Sequence, residues 1–300
     1  MNTRTFLSNF PTFVKRWTSY RKKLGPTGLG WTVMSDYCLD GDSKNDCITF
    51  TISPNFGQPN QMAEFLNRNL PHDIKNVTHI SQDVINFIRD CHLFFNLVFV
   101  FPQKQELVDM QYFKTDMVAL SESSMIPEEN RKRIREFSQK LNRKGGHKKV
   151  LQNLSLVTFL FGKIVEFLTI KHFAEGINWF PDRDPVMDIG KGIIKELSNV
   201  GYTNAIAGRV KTPIIHMGME NPVTKEFVFD PLVRYPDIIT GVFSSISIYE
   251  QRTPKEKHIR LWNEALLNNP RTVLFTMLPN EIRCTSLRLA STHIKARQSL

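Results

Sequence analysis

Three aspartates stand where three separate elements end or begin, and carboxylates placed this way are the residues of this chain best suited to chemistry. Asp36 closes the apolar run Trp31-Thr-Val-Met-Ser-Asp36, and Asp182 closes Ile177-Asn-Trp-Phe-Pro-Asp182, with Asp184 two residues on. Asp237 lies in Leu232-Val-Arg-Tyr-Pro-Asp-Ile-Ile-Thr-Gly241, a stretch that reads as the start of a helix. Carboxylates at strand ends converge on one edge of a sheet. Their mutual repulsion is relieved when a divalent cation sits between them, and hard cations such as Mg2+ or Mn2+ take carboxylate oxygens.

The elements that must carry these acids follow from periodicity. Residues 31–52 read as two strands joined by the polar turn Gly41-Asp-Ser-Lys-Asn-Asp46. Helices are expected over about 61–69 and 81–91, the second capped by Ser81 and carrying Val84, Ile85 and Ile88 on one face. Residues 94–101 are strand-like and stop at Pro102. The pattern is helical from 107 to 173, with the cation-rich segment 131–144 ended by Gly145-Gly146. Strands at 177–180 and 211–216 and helices over about 186–200, 232–247 and 255–267 complete the order.

That order is α/β: a mixed sheet flanked by helices, with a helical hairpin inserted at about 105–175. Residues 1–25 form a basic amphipathic arm, 26–250 the α/β domain and 251–300 a C-terminal helix and basic tail. In the arm, Phe6, Phe10, Phe13 and Trp17 fall at helical spacing, which fits a packing helix with a solvated basic face, or a contact to a polyanion.

The arrangement resembles the ribonuclease H-like fold, and within it the bacterial family known as domain of unknown function 3800. The family's opening D-E-[SC]-G-D is matched by Asp36-Tyr-Cys-Leu-Asp40, and its later strand-end aspartate followed by Arg is similar to Phe180-Pro-Asp182-Arg183. Its helix pattern L-Q-x-A-D-x-x-x-G corresponds in spacing to Val233-Arg-Tyr-Pro-Asp237-Ile-Ile-Thr-Gly241. Tyr37, Leu39, Arg234 and Pro236 depart from these patterns. The resemblance spans about 30–247. It implies a nuclease or other nucleic-acid processing protein that uses two Mg2+ or Mn2+ ions about 3.5–4 Å apart. Asp36 is then the bridging ligand, with Asp182 and Asp237 flanking it. Asp184 and Asp40 are substitutes, and His216 orders water or contacts phosphate.

Each residue also has a plainer reading. The acids of 36–46 suit a solvated turn, Asp184 and Asp237 suit helix caps, and His216 suits a structural role. Pro236 would delay the start of its helix to that point.

The formal charge of +10 and pI near 9.5 favour a polyanionic partner. Arg131, Lys132, Arg135, Arg143, Lys144, Lys148 and Lys149 are the candidate phosphate contacts, or else an exposed face or protein-docking surface. Cys38, Cys47, Cys91 and Cys284 form no C-x-x-C pair, which disfavours zinc and fits a reduced cytoplasmic chain. No apolar core of a signal peptide is present near Met1, and residues 150–173, the most apolar stretch, contain Lys163 and Glu166, so a buried helix is expected and not a membrane span. The alternative function is a non-catalytic interaction or nucleic-acid-binding subunit of a larger bacterial assembly, with protein partners met through the insertion or the basic termini.

Overall fold

The computed structural model describes residues 4–25, 28–39, 45–55, 57–72, 77–101, 110–122, 124, 127–141, 148–182, 214–218, 229–246, 255–278, 281–285 and 287. The chain divides into two compact units. One comprises 1–7, 103–175 and 183–214; the other comprises 8–102, 176–182 and 215–300.

A seven-stranded mixed sheet with helices packed on it makes the protein α/β. The strands are β1 (Gly30–Cys38), β2 (Asp46–Pro54), β3 (Phe95–Phe101), β4 (Gly176–Pro181), β5 (Ile214–Met217), β6 (Thr272–Leu278) and β7 (Glu281–Thr285). Their order is β5-β4-β1-β2-β3-β6-β7. β1, β2 and β3 form an antiparallel meander. β4 runs parallel to β1, β6 runs parallel to β3, and β7 returns antiparallel to β6. The segment Val273-Leu-Phe-Thr-Met277 is thus a sheet strand, and the C-terminal part of the chain contributes to the same sheet as β1.

Burial of both faces explains the strongly apolar strands. Every residue from Trp31 to Tyr37 is buried, which marks β1 as a central strand. Alternation sends successive side chains to opposite faces. Met34, Val98, Val100, Phe180 and Leu274 pack in a core with α2 (Pro59–Asn69), α3 (Gln82–Asp90), α7 (Asp230–Ser245) and α8 (Glu256–Leu261). The intervening residues face the other way. There α1 (Pro11–Leu24) packs Trp17 against Trp31 and Phe95, and Phe13 against Phe95 and Phe275.

The N-terminal basic segment is therefore a packing helix on its apolar side: Phe13, Trp17 and Tyr20 are buried. In the same helix Arg16 donates to the carbonyls of Asn269 and Thr272 at 2.7 and 3.0 Å, tying α1 to the start of β6. Ser81 caps α3 by accepting from the Val84 amide, as its position predicts.

The other unit contains α4 (Met110–Glu122), α5 (Glu128–Leu141) and α6 (Lys148–His172). α6 alone among the described helices is long and apolar enough to cross a membrane, yet 83% of its most apolar window is buried inside the structure. Glu166 lies within it, 3.5 Å from Lys163. A paired, buried acid suits a core helix better than lipid.

Two expectations about the late helix are overturned. α7 begins at Asp230, and Pro236 lies inside it. Asp237 consequently stands in the body of the helix and caps nothing. Pro236 has no N–H for the carbonyl four residues back, so the helix loses one internal bond there. Burial of Leu232, Val233, Tyr235, Ile238, Ile239, Val242 and Phe243 compensates for that loss.

A candidate carboxylate site at the strand ends

Asp36 is two residues short of the end of β1 and only 3% exposed. It is a strand residue inside the fold, which rules out the solvated-turn reading for this acid. Its face is set by Met34, two residues earlier in the α7 core.

Asp182 arrives at the same level through the parallel pairing of β4. Ser35 pairs with Pro181, and the Asp182 amide donates to the Ser35 carbonyl at 2.8 Å, so the ladder continues one residue past β4. Phe180, two residues earlier, packs against Phe229 at 4.8 Å between ring centroids. Gly218 also lies against it, since a Cβ there would fall 2.3 Å from the Phe180 ring. These contacts fix the strand end from which Asp182 projects.

Asp237 comes from α7, which packs across β1 and β2. Thr240 follows one helical turn later on the same side.

The electrostatics bring all three acids together. The Asp36 carboxyl is held well above the ordinary carboxylate range. Burial is the main cause, followed by the negative charges of Asp237 and Asp182. Thr240 works in the opposite direction, favouring the charged form from close by. Its hydroxyl nevertheless makes no hydrogen bond of ordinary geometry, and it is 1% exposed.

Thr49 pairs directly with Asp36 across β1 and β2 and thus shares its face. Its hydroxyl is fully buried and also lacks a hydrogen bond of ordinary geometry. Cys47, again on this face, has its thiol pushed well up by burial, then by Cys38 and Asp36. Asp36 thus feels the charge of two further carboxylates and shares its side of the sheet with buried hydroxyls that have unused capacity and a buried thiol.

Tyr37 and Arg234 serve packing. Tyr37 points to the opposite side of the sheet, where its hydroxyl lies 2.6 Å from Ser35 Oγ, itself 2.9 Å from Trp179 Nε1. Arg234 donates to Asn67 Oδ1 at 2.7 Å and pairs with Asp230 at 3.3 Å, bracing α7 against α2.

Among the described residues, no three carboxylate, imidazole or thiolate groups already stand at the spacing of a finished metal site. Asp237 and Asp182 both act on the buried Asp36 through their charge.

His216 is the third residue of β5, the strand beside β4, but its side chain lies outside the described residues. Asp40 and Asp184 lie outside them altogether, as do Arg143 and Lys144. Arg131 and Arg135 of α5 both pair with Glu128, so part of their charge is already answered within the helix; Lys132 is exposed. Lys148 and Lys149 open α6.

The sequence singles out the three acids but not Thr49, Thr240 or the Cys38–Cys47 pair, which the fold sets on the same side of the sheet as Asp36. Thr240 was accessible from its spacing to Asp237. The other three needed the register of β1 on β2. No protein-family model, curated protein or solved structure matches this chain.

Proposed function

We propose that this protein is a metal-dependent nuclease or nucleic-acid processing protein whose site is Asp36, Asp182 and Asp237 on a ribonuclease H-like sheet. The observation that carries the reading is Asp36, 3% exposed near the end of β1, with Asp182 at the end of the adjoining β4 and α7, which bears Asp237, packed across β1; burial and the two neighbouring charges raise its carboxyl. Two unit charges roughly 5 Å apart on neighbouring strands repel by about 3 kcal/mol at an effective dielectric of about 20. A fold that brings three carboxyls together while burying one sustains that cost, and a bound cation reverses its sign.

The sub-sheet β5-β4-β1-β2-β3 supports the fold assignment, with an antiparallel meander and β4 added parallel beside its first strand. The acids sit at the carboxyl ends of β1 and β4, the edge where open α/β sheets bind ligands.

The donor set fits a hard divalent cation: carboxylate oxygens, with the hydroxyls of Thr49 and Thr240 beside them. Mg2+ or Mn2+ held there would supply the charge that lowers the pKa of bound water and neutralises phosphodiester oxygens. Asp36 is the bridging residue because both other acids act on it. It must give up its proton to ligate, so affinity rises with pH. Asp182 and Asp237 flank it, and Thr240 favours the charged form of the bridging carboxylate.

A second reading, a non-catalytic interaction or nucleic-acid-binding protein on the same scaffold, is favoured by Tyr37 and Arg234. These depart from the family motifs and serve packing.

Thermal melts in Mg2+ and Mn2+, followed by labelled single- and double-stranded DNA and RNA, separate the two. The nuclease reading expects metal to raise the Tm, Asp36→Asn and Asp237→Asn to abolish the rise, and metal-dependent cleavage of at least one substrate. Salt-sensitive binding without cleavage under either metal leaves the interaction reading.

A further inference from the structure

Cys38 and Cys47 face each other directly across the antiparallel β1 and β2. The Asn55 amide donates to the Gly30 carbonyl at 3.0 Å, which makes that pair a hydrogen-bonded one and fixes the phase of the ladder. Counting in steps of two along the register, Cys38 and Cys47 form another pair of the same kind. Their Cα atoms are thereby about 5.5 Å apart, inside the roughly 4.4–6.8 Å range that a disulfide spans. Their Cβ atoms, about 5.5 Å apart at a pair of this kind, must close to about 3.5–4.5 Å as the bond forms. That movement falls on Cys38 at the end of β1. Both side chains lie on the face that carries Asp36, two residues before Cys38.

The two thiols differ in access. Cys47 is fully buried, whereas Cys38, the last residue of β1, is half-buried. No disulfide joins any of the four cysteines. Cys91 and Cys284 have no cysteine opposite them in the sheet: Cys284 pairs with Phe275, and Cys91 follows α3.

We propose that Cys38 and Cys47 form a reversible intramolecular disulfide, a thiol-modification site that sets the state of the neighbouring carboxylate pocket. The existence of the disulfide rests on strand register alone; its effect on the pocket rests on the metal-site reading.

The oxidant class is a low-molecular-weight disulfide. The Cys38 thiolate attacks one of its sulfurs, the external S–S bond breaks, and one thiolate leaves as a mixed disulfide forms on Cys38. Cys47 then attacks the Cys38 sulfur, expelling the second thiolate, which takes up the Cys47 proton. Two protein thiols are oxidised, and one external disulfide is reduced to two thiols. The bridge locks the ends of β1 and β2 beside Asp36. It thereby opposes the small adjustment by which Asp36, Asp182 and Asp237 would close around a cation.

The test treats the full chain with oxidised glutathione, maps the thiols by alkylation and peptide mass, and repeats the Mg2+ melts on reduced and oxidised protein. The expected result is a Cys38–Cys47 cross-link in wild type and a stable glutathione adduct on Cys38 in Cys47→Ser. Cys47 should remain unmodified in Cys38→Ser. The oxidised wild type should lose at least half of the Mg2+-induced rise in Tm, and dithiothreitol should restore it. Thiols that remain unlinked while Cys91 or Cys284 reacts overturn the site. A cross-link that forms but leaves the Mg2+ response unchanged overturns the control of the pocket. Absence of any Mg2+ response in the reduced protein counts against the metal reading instead, and the mass map still decides the disulfide.

Discussion

Asp36 of β1 and Asp182, one residue past the end of the parallel strand β4, stand at the same end of the sheet, because the Asp182 amide donates to the Ser35 carbonyl at 2.8 Å. Burial and the charges of Asp237 and Asp182 raise the Asp36 carboxyl, which must give up its proton before it can ligate a cation.

That relationship has a stability consequence whose sign is fixed. The folded pKa of Asp36 is raised above its ordinary value, so its contribution to stability is fully present below the ordinary carboxylate range. It is lost as pH rises through the raised value. In chelator, Asp36→Asn removes this loss and melts higher than wild type at pH 8. A gain of about 1 kcal/mol corresponds to a shift of about 2–4 °C. Melting curves from pH 4 to 9 check it, and a variant that melts lower than wild type at pH 8 argues against a strained acid.

Asp237 supplies the largest charge effect on Asp36 after burial. Asp237→Asn should bring the Asp36 carboxyl back toward its ordinary range, as read by carbon NMR of labelled aspartates. An unchanged titration would mean that the helix and strand acids are not neighbours.

How much of this was legible beforehand depends on the kind of pattern involved. Strands β1 to β4 and the packing role of Phe13 and Trp17 were readable because alternation and helical spacing are local signals. Nothing local shows β6 inserting beside β3, since strand pairing across most of the chain is a tertiary choice. The place of Pro236 in α7 was misjudged for a related reason. Pro236 argues for a helix start, but the apolar face of α7 buried on the sheet outweighs one missing backbone bond. At the site, the acids were visible as types, whereas Thr49 and Cys47 join only through the β1–β2 register.

His258 gives a second, opposite pH effect. Burial, with help from Lys257 and Lys255, pushes its pKa down to about 4, and its Nδ1 lies 2.6 Å from Ser245 Oγ. A depressed histidine contributes stability above its ordinary value of 6.5, and this is lost as pH falls toward about 4. In His258→Gln, the drop in Tm over that interval should shrink by on the order of 5 °C. An identical acid limb in both proteins would remove His258 from the account.

Trp17, 3% exposed, packs against Tyr20, Trp31 and Phe95. Trp17→Ala should cost about 3–5 kcal/mol in denaturant unfolding while leaving the metal-induced shift in Tm intact. A loss of nucleic-acid binding with unchanged stability would instead make the N-terminal helix a contact surface.

The most direct measurement is the anomalous diffraction of a crystal soaked in Mn2+. The account predicts a peak within about 2.0–2.3 Å of carboxylate oxygens from Asp36 and Asp182, with Asp237 turned toward it. Crystals that bind Mn2+ elsewhere, with no peak between Asp36 and Asp182, would contradict it.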